Sequence, residues 1–153
     1  MTVADNAGDT AVNRARPSER LLYLDSSALV KIVLPEAESQ TLVSFLPAWP
    51  HRVSSALARV EVLRAVARAS TAESMDDALR DAEQLLAHVS LLAMSDTLLA
   101  TAAALNPVTL RSLDAIHLAS ALSLSAEVAG FVTYDGRLAE AAQASGLTVY
   151  APR

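Results

Sequence analysis

Two short apolar segments, each ending in an aspartate, constrain the fold of this chain most. Residues 21–24 are apolar and precede Asp25, and residues 131–134 precede Asp135. Each segment has the length and composition of a buried strand, and each is followed by residues with helical spacing. Strands that alternate with helices predict a parallel sheet covered on both faces, with ligands bound beyond the carboxyl ends of the strands. We therefore expect Asp25 and Asp135 to face the same crevice.

The remainder of the chain repeats this alternation. Ser26 or Ser27 is expected to cap the first helix, Ser112 the sixth, and Gly146 is expected to end the last one. The sequence thus predicts an α/β fold with a central parallel sheet of about five strands. The predicted strands are residues 21–25, 51–55, 91–94, 130–135 and 147–150. The predicted helices are residues 28–33, 36–46, 56–69, 75–88, 97–105, 113–125 and 137–145.

Composition limits the class of protein. A chain of 153 residues with 52% hydrophobic residues fits one globular domain with a sizeable core. The absence of cysteine excludes disulfides, zinc–thiolate sites and cysteine nucleophiles, and it is compatible with the cytoplasm. No apolar stretch approaches the ~20 residues that span a bilayer, so no membrane partner is expected. Residues 1–20 are polar and small, and we predict a flexible extension there, followed by one domain over residues 21–153.

Four acidic residues occupy positions suited to a functional site: Asp25, Glu61, Asp114 and Asp135. Glu61 lies within an apolar helix, and Asp114 lies in the first turn of another, where the helix dipole favours its ionised form. Two unit charges ~4 Å apart repel by about 4 kcal/mol at an effective dielectric of ~20. Converging carboxylates therefore indicate a cation, and oxygen ligands favour Mg²⁺ or Mn²⁺.

Such a site suits phosphodiester hydrolysis, because a divalent cation activates water and neutralises phosphate oxygens. The net charge of −5 does not suggest a polyanion-binding protein. Of the 17 acidic residues, however, the 13 outside the four-residue set nearly balance the 12 basic ones. Any attraction for nucleic acid must therefore be local to one surface.

Four segments together resemble the PIN-domain family, and within it VapC-type toxins of toxin–antitoxin pairs. They are residues 24–31 (LDSSALVK), 58–62 (ARVEV), 113–119 (LDAIHLA) and 132–138 (VTYDGRL). The resemblance runs from residue 21 to the C-terminus and implies a PIN-like three-layer α/β/α fold. It also implies a Mg²⁺- or Mn²⁺-dependent endoribonuclease in the cytoplasm, a homodimer that a cognate VapB-type antitoxin holds inactive. Residues 1–20 depart from the family, whose members often begin close to the first strand.

The family's four acidic positions match Asp25, Glu61, Asp114 and Asp135, which the resemblance makes the metal ligands and catalytic residues. Its small hydroxyl residue after the first acid matches Ser26, and its Ser or Thr two residues before the last acid matches Thr133. These hydroxyls either hydrogen-bond a ligand carboxylate or serve only as a cap and as a strand former.

Basic residues and a histidine complete the set of candidates. Arg137, two residues after Asp135, is the favoured substrate-contacting cation, with a solvated arginine as the equal alternative. Arg64 and Arg68 share one helix face and could contact phosphate. His117 lies one turn after Asp114, where a structural histidine is favoured over a general base.

Other functions fit less well. A phosphoacceptor receiver domain also places acids on a parallel sheet, but it needs a late lysine, and the only lysine is the early Lys31. A non-catalytic PIN domain that only binds an antitoxin is disfavoured by the intact set of four acids. No Gly-x-Ser-x-Gly motif or glycine-rich loop supports a serine hydrolase or a dinucleotide enzyme.

Overall fold

A five-stranded parallel sheet forms the centre of the computed structural model, which describes residues 19–153. The strand order is β3-β2-β1-β4-β5, so β1 lies in the middle and pairs with β2 and β4. The predicted α/β class and number of strands are confirmed. The predicted flexible extension, apart from Glu19 and Arg20, lies outside the described residues. The strands are β1 (Leu21–Leu24), β2 (His51–Ser55), β3 (Ser90–Leu92), β4 (Val128–Val132) and β5 (Val149–Tyr150).

Helices cover both faces of this sheet, and the alternation of side chains along β1 shows why. Leu22 and Leu24 enter a core with α1–α4, whereas Tyr23 enters a second core with α6 and α7. Helix α5 packs on α6 through a third, smaller cluster. The helices are α1 (Ser26–Val33), α2 (Ser39–Phe45), α3 (Leu57–Ala69), α4 (Met75–Ala87), α5 (Asp96–Ala104), α6 (Ser112–Ser123) and α7 (Gly136–Ala144).

The chain leaves β1 and β4, which are neighbours, toward opposite faces of the sheet. Helix α1 packs in the first core and α7 in the second. In open α/β sheets such a divergence between adjacent strands opens a crevice at their carboxyl ends, where ligands bind. Asp25 follows β1, and Asp135 lies three residues after β4, so both border this crevice.

The predicted capping residues of the helices are partly wrong. Asp25, and not Ser26 or Ser27, caps α1, and its side chain accepts a hydrogen bond from the backbone N–H of Ala28. Ser112 is the first residue of α6, and the capping position is Arg111, which makes no side-chain capping bond. Gly146, with φ 87°, follows the end of α7 in the left-handed conformation, as predicted.

The predicted strand over residues 130–135 is displaced, since β4 ends at Val132. Beyond it, the hydroxyl of Thr133 accepts a hydrogen bond from the N–H of Asp135, which turns the chain into α7. Gly130 in β4 is required by close packing, because a Cβ atom there would lie 2.6 Å from the ring of Tyr150. Among residues 19–153, no helix is both long and apolar enough to span a membrane.

Candidate active site

Asp25 is the most buried acid of the crevice, with 4% of its surface exposed. Its Oδ1 accepts hydrogen bonds from the hydroxyl of Ser27 at 2.7 Å and the N–H of Ala28 at 2.9 Å. Its Oδ2 accepts one from the hydroxyl of Thr133 at 2.7 Å. Burial raises the pKa of Asp25, and these three donors oppose the rise. The side chain is therefore fixed in orientation while its negative charge is only partly compensated.

Thr133 connects the two strand ends. Besides donating to Asp25, its hydroxyl oxygen accepts the N–H of Asp135 at 3.1 Å. Asp135 in turn caps α7, because its Oδ1 accepts the N–H groups of Arg137 and Leu138 at 2.9 and 3.0 Å. The backbone of Asp25 is also tied to β4, since its N–H donates to the carbonyl of Val132 at 3.1 Å.

Asp114 carries a carboxylate oxygen that nothing satisfies. Its Oδ2 is buried and has no hydrogen-bond partner among the described residues. Burial raises the pKa of Asp114, the nearby charges of Asp135 and Asp25 raise it further, and Arg111 and His117 lower it only in part. Asp114 therefore lies close enough to both strand-end aspartates to feel their charge, although it comes from α6.

Glu61 projects from α3 toward α1 and α6. Its Oε2 accepts a hydrogen bond from the Ser26 hydroxyl and one of 2.8 Å from Nε2 of His117. Burial opposes ionisation of Glu61, but the bonds from His117 and Ser26 outweigh it, so the pKa is lowered. Glu61 and Asp135 line the same open depression.

The four acids do not form a ready-made cage. Asp114 lies within electrostatic reach of Asp25 and Asp135, and Glu61 lines an open depression with Asp135. Within residues 19–153, no three His, Asp or Glu side chains are placed to ligate one ion as they stand. The donor set nevertheless fits a hard divalent cation, because it consists of oxygens and includes the unpartnered, buried Oδ2 of Asp114.

Basic side chains are distributed unevenly around the crevice. Arg68 lines the depression with Glu61 and Asp135, and an adjoining depression is lined by Glu61, Arg64 and Arg68. Arg137 is exposed and lines a different depression, together with Glu140 and the segment before α6. The arginines of α3 therefore share depressions with Glu61, whereas Arg137 does not.

Sequence reasoning missed three contributions to the site. Ser27 donates to Asp25 and also accepts the N–H of Tyr134 at 2.9 Å, which ties α1 to the segment after β4. The hydroxyl of Tyr23 lies 2.9 Å from Nδ1 of His117, on the same face of the sheet. His117 is buried and hydrogen-bonded at both ring nitrogens, as the structural interpretation favoured. Ser54 and Ser55 are buried polar residues within β2 and were a signal of a buried polar layer, because Ser54 donates to the carbonyl of Leu24.

Comparisons with known proteins give consistent results. A family model described as "PIN domain" matches residues 22–144. Among curated relatives, the chain is 43% identical over 131 residues to Ribonuclease VapC46 of Mycobacterium tuberculosis, covering 86% of this chain and 97% of that protein. It is 35% identical over 136 residues to Ribonuclease VapC47 of the same species, with the same coverage.

Solved structures share the fold at low sequence identity. VapC20 of Mycobacterium tuberculosis, described as a Sarcin-Ricin loop cleaving toxin, aligns with a TM-score of 0.66 and 16% identity, over 86% of this chain and 99% of that one. VapBC2 of Rickettsia felis, solved bound to a DNA fragment from its promoter, aligns with a TM-score of 0.63 and 12% identity, over 87% and 99%. These two likenesses establish a common fold.

Proposed function

This chain belongs to the PIN-domain family, and from that premise we propose that it is a Mg²⁺- or Mn²⁺-dependent endoribonuclease that hydrolyses RNA phosphodiesters. We assign it as the toxin of a VapBC-type toxin–antitoxin pair. The curated relatives named Ribonuclease VapC support this assignment, since two of them are 43% and 35% identical over nearly their full lengths. Asp25, Glu61, Asp114 and Asp135 are the proposed catalytic residues and metal ligands.

One observation carries the proposal: a buried carboxylate oxygen of Asp114 has no hydrogen-bond partner within residues 19–153, and this side chain lies within the electrostatic reach of two other aspartates. A buried ionised group without compensation costs free energy. A protein that retains this cost needs something to offset it, and a bound cation does so directly. The raised pKa values of Asp25 and Asp114 describe the site before such a cation enters.

The proposed role of each site residue follows from its position. Asp25 and Asp135, held by Thr133 and by the start of α7, present fixed oxygens at the strand ends. Glu61 and Asp114 reach the crevice from α3 and α6. Either cation, when bound, supplies the charge that activates a water molecule and neutralises the phosphate oxygens. Ser26 and Thr133 act through the carboxylates that they hydrogen-bond.

Arg68 and Arg64 are the proposed contacts to the RNA backbone beside the scissile phosphate. Both are exposed, and both line depressions that contain Glu61. Phosphate contacts of this kind add affinity that depends on salt, and they offset the repulsion of an acidic site for a polyanion. Arg137, which lines a separate depression, remains a candidate for a further contact to the RNA.

A cognate VapB-type antitoxin and a homodimer complete the proposal, as the resemblance to VapC-type toxins implies. The chain has exposed apolar side chains that a partner could cover, among them Val60, Leu113 and Leu99. Co-expression with the antitoxin and sedimentation of the purified protein test these two assignments independently of catalysis.

The decisive experiment compares cleavage of a structured RNA by wild type and by Asp25→Asn. We expect wild type to cut in Mg²⁺ or Mn²⁺ and to stop in EDTA, leaving 5′-phosphate and 3′-hydroxyl ends. Asp25→Asn should cleave at least ~100-fold more slowly, because a metal-held charge contributes several kcal/mol to such a transition state.

Asp96→Asn is the matched control, since the same chemical change is made at an exposed aspartate in the first turn of α5. It should cleave like wild type. Equal rates for wild type and Asp25→Asn, with both insensitive to EDTA, would refute the nuclease and leave a PIN domain that only binds its partner.

A further inference from the structure

His117 links three elements around the candidate site. Its side chain is 3% exposed. From α6, its Nδ1 lies 2.9 Å from the hydroxyl of Tyr23 on β1, and its Nε2 lies 2.8 Å from Oε2 of Glu61 on α3. The same Nε2 is 3.0 Å from the hydroxyl of Ser26 at the start of α1. Both ring nitrogens are therefore occupied by protein groups.

The partners determine where the ring carries its proton. Ionised Glu61 can only accept hydrogen bonds, so Nε2 must donate. In the neutral ring, Nδ1 then has a free lone pair, and the hydroxyl of Tyr23 is the donor that meets it. Burial raises the pKa of Tyr23, so its phenol keeps the proton that it donates. The hydrogen-bond chain runs in one direction, from Tyr23 through His117 to Glu61.

Glu61 needs such support more than the other acids. It lies in the middle of α3, has three side-chain torsions and is only half-buried. Asp25 and Asp135 are short and accept backbone N–H groups, whereas Glu61 makes its described hydrogen bonds only to the side chains of Ser26 and His117. Both of these donors meet Oε2, and no described residue donates to Oε1.

We propose that His117 is a positioning residue: its Nε2–H, oriented by the Tyr23 hydroxyl, fixes Glu61 in the rotamer that leaves Oε1 available to a divalent cation. This role rests on the proposed metal-dependent function. It differs from general-base catalysis, because neither nitrogen is free to take a proton from a substrate. It also differs from space filling, since what acts is one N–H group at a defined place.

A matched pair of substitutions separates the donor from the volume. In His117→Gln the amide nitrogen can replace Nε2, whereas in His117→Met a side chain of similar length and shape has no donor. We expect His117→Met to weaken Mn²⁺ binding 10–100-fold in calorimetry, the range for loss of a hydrogen bond that orients a metal ligand. His117→Gln should stay within ~5-fold of wild type, because the donor to Glu61 is retained.

The melting temperatures of the two variants provide a second measurement. In the metal-free protein, His117→Met leaves the buried hydroxyl of Tyr23 and one bond to Glu61 without a partner, and His117→Gln keeps only the donor to Glu61, so both variants should melt below wild type. A merely structural histidine would lower the melting temperature of both variants without separating their Mn²⁺ affinities. Equal Mn²⁺ affinities for the two variants, with wild-type binding intact, would overturn the positioning role alone. Failure of wild type to bind Mn²⁺ would instead refute the proposed metal-dependent function together with this role.

The tautomer can be observed directly in the metal-free protein. The chain has three histidines, and His51 and His88 are exposed, so the buried ring is readily distinguished in ¹⁵N–¹H correlation spectra. We expect a proton on Nε2 and an accepting Nδ1. Tyr23→Phe, which keeps the ring that stacks on Phe131, should shift the Nδ1 resonance and leave the Nε2 proton in place. A ring protonated only on Nδ1 could not donate to Glu61 and would overturn the inference.

Discussion

Two charged clusters lie at opposite ends of α1, and they are built on different principles. At its start, Asp25 and Asp135 lie within electrostatic reach of Asp114, and none of the three forms a salt bridge with a described basic side chain. At its end, Lys31 contacts Glu36 and Glu38. The two clusters are less than two turns of α1 apart. The first has an excess of negative charge, whereas in the second both carboxylates pair with an ammonium group.

The lysine cluster has the features of a structural contact between segments of the chain. Lys31 is 12% exposed, donates to Glu38 at 2.8 Å and to Glu36, and its ammonium lies 4.9 Å from the ring centre of Tyr134. The hydrogen bonds to Glu36 and Glu38 raise the pKa of Lys31 despite the opposing effect of burial. Each charge has a partner, and the lysine holds the α1–α2 connection against the segment after β4. This engagement also removes the one lysine that a receiver domain would need.

The acidic cluster shows the opposite balance. Burial raises the pKa of both Asp25 and Asp114, and hydrogen bonds orient Asp25 without neutralising it. Evolution readily tolerates the first kind of cluster for stability, whereas the second kind lowers stability and is typical of functional sites. The difference teaches that the sign of an effect on stability separates structural from functional charges, and four measurements can test it.

The largest expected effect is stabilisation by metal. At pH 7, Mn²⁺ at ~100 times its dissociation constant should raise the free energy of unfolding of wild type by about 2.7 kcal/mol. Asp114→Asn should show less than half of that gain at the same concentration, since it lacks one ligand oxygen with full charge. Denaturant unfolding with and without Mn²⁺ measures both values. Asp96→Asn should keep the full gain, and a wild type that gains nothing would contradict the functional reading of the acidic cluster.

Without metal, the same substitution should act in the other direction. In EDTA at pH 7, Asp114→Asn should be more stable than wild type by about 1 kcal/mol, or ~2–4 °C in melting temperature. The reason is that the amide keeps the shape of the side chain and removes repulsion by Asp135 and Asp25. Thermal unfolding of the two proteins at matched concentration checks this prediction.

The dependence on pH gives this prediction a second test. The folded-state pKa of Asp114 is raised above 3.8, so the folded protein binds more protons than the unfolded chain over the window just above that value. Its contribution to stability therefore falls as pH rises through the folded pKa. The advantage of Asp114→Asn should be small near pH ~4 and grow toward pH 7. An advantage that stays constant, or a variant less stable than wild type, would show that Asp114 is structurally compensated.

These contrasts also show what the sequence could and could not reveal. The number of strands and the position of Asp25 directly after β1 followed from apolar patterning, because period and length are local properties. The residue that caps α1 was misread because Asp25 performs two roles at once, as a cap and as a candidate ligand.

Contacts between distant residues explain the remaining gaps. His117 and Tyr23 are 94 positions apart, and Ser27 and Tyr134 are 107 apart, so spacing along the chain carries no sign of either bond. Arg137 was favoured for its closeness in sequence to Asp135; it is exposed and lines a depression with the segment before α6, and its contact with a substrate stays a prediction. The direction in which a helical side chain points depends on how its helix packs in three dimensions.

The smallest expected effect concerns the lysine cluster, and its sign should be opposite. Lys31→Met keeps most of the apolar stem but leaves Glu36 and Glu38 without their cation, so the metal-free protein should lose up to about 1 kcal/mol at low salt. The matched control is Arg80→Met. Arg80 pairs with Asp77 at 2.7 Å, but these side chains are 62% and 78% exposed, so this change should stay within about 0.5 kcal/mol. Chemical denaturation at low and high salt measures both, and the loss for Lys31→Met should shrink as salt screens the pairs. If Lys31→Met were as stabilising as Asp114→Asn, the lysine cluster and the acidic cluster would have the same effect on stability. The distinction between a structural and a functional cluster would then fail.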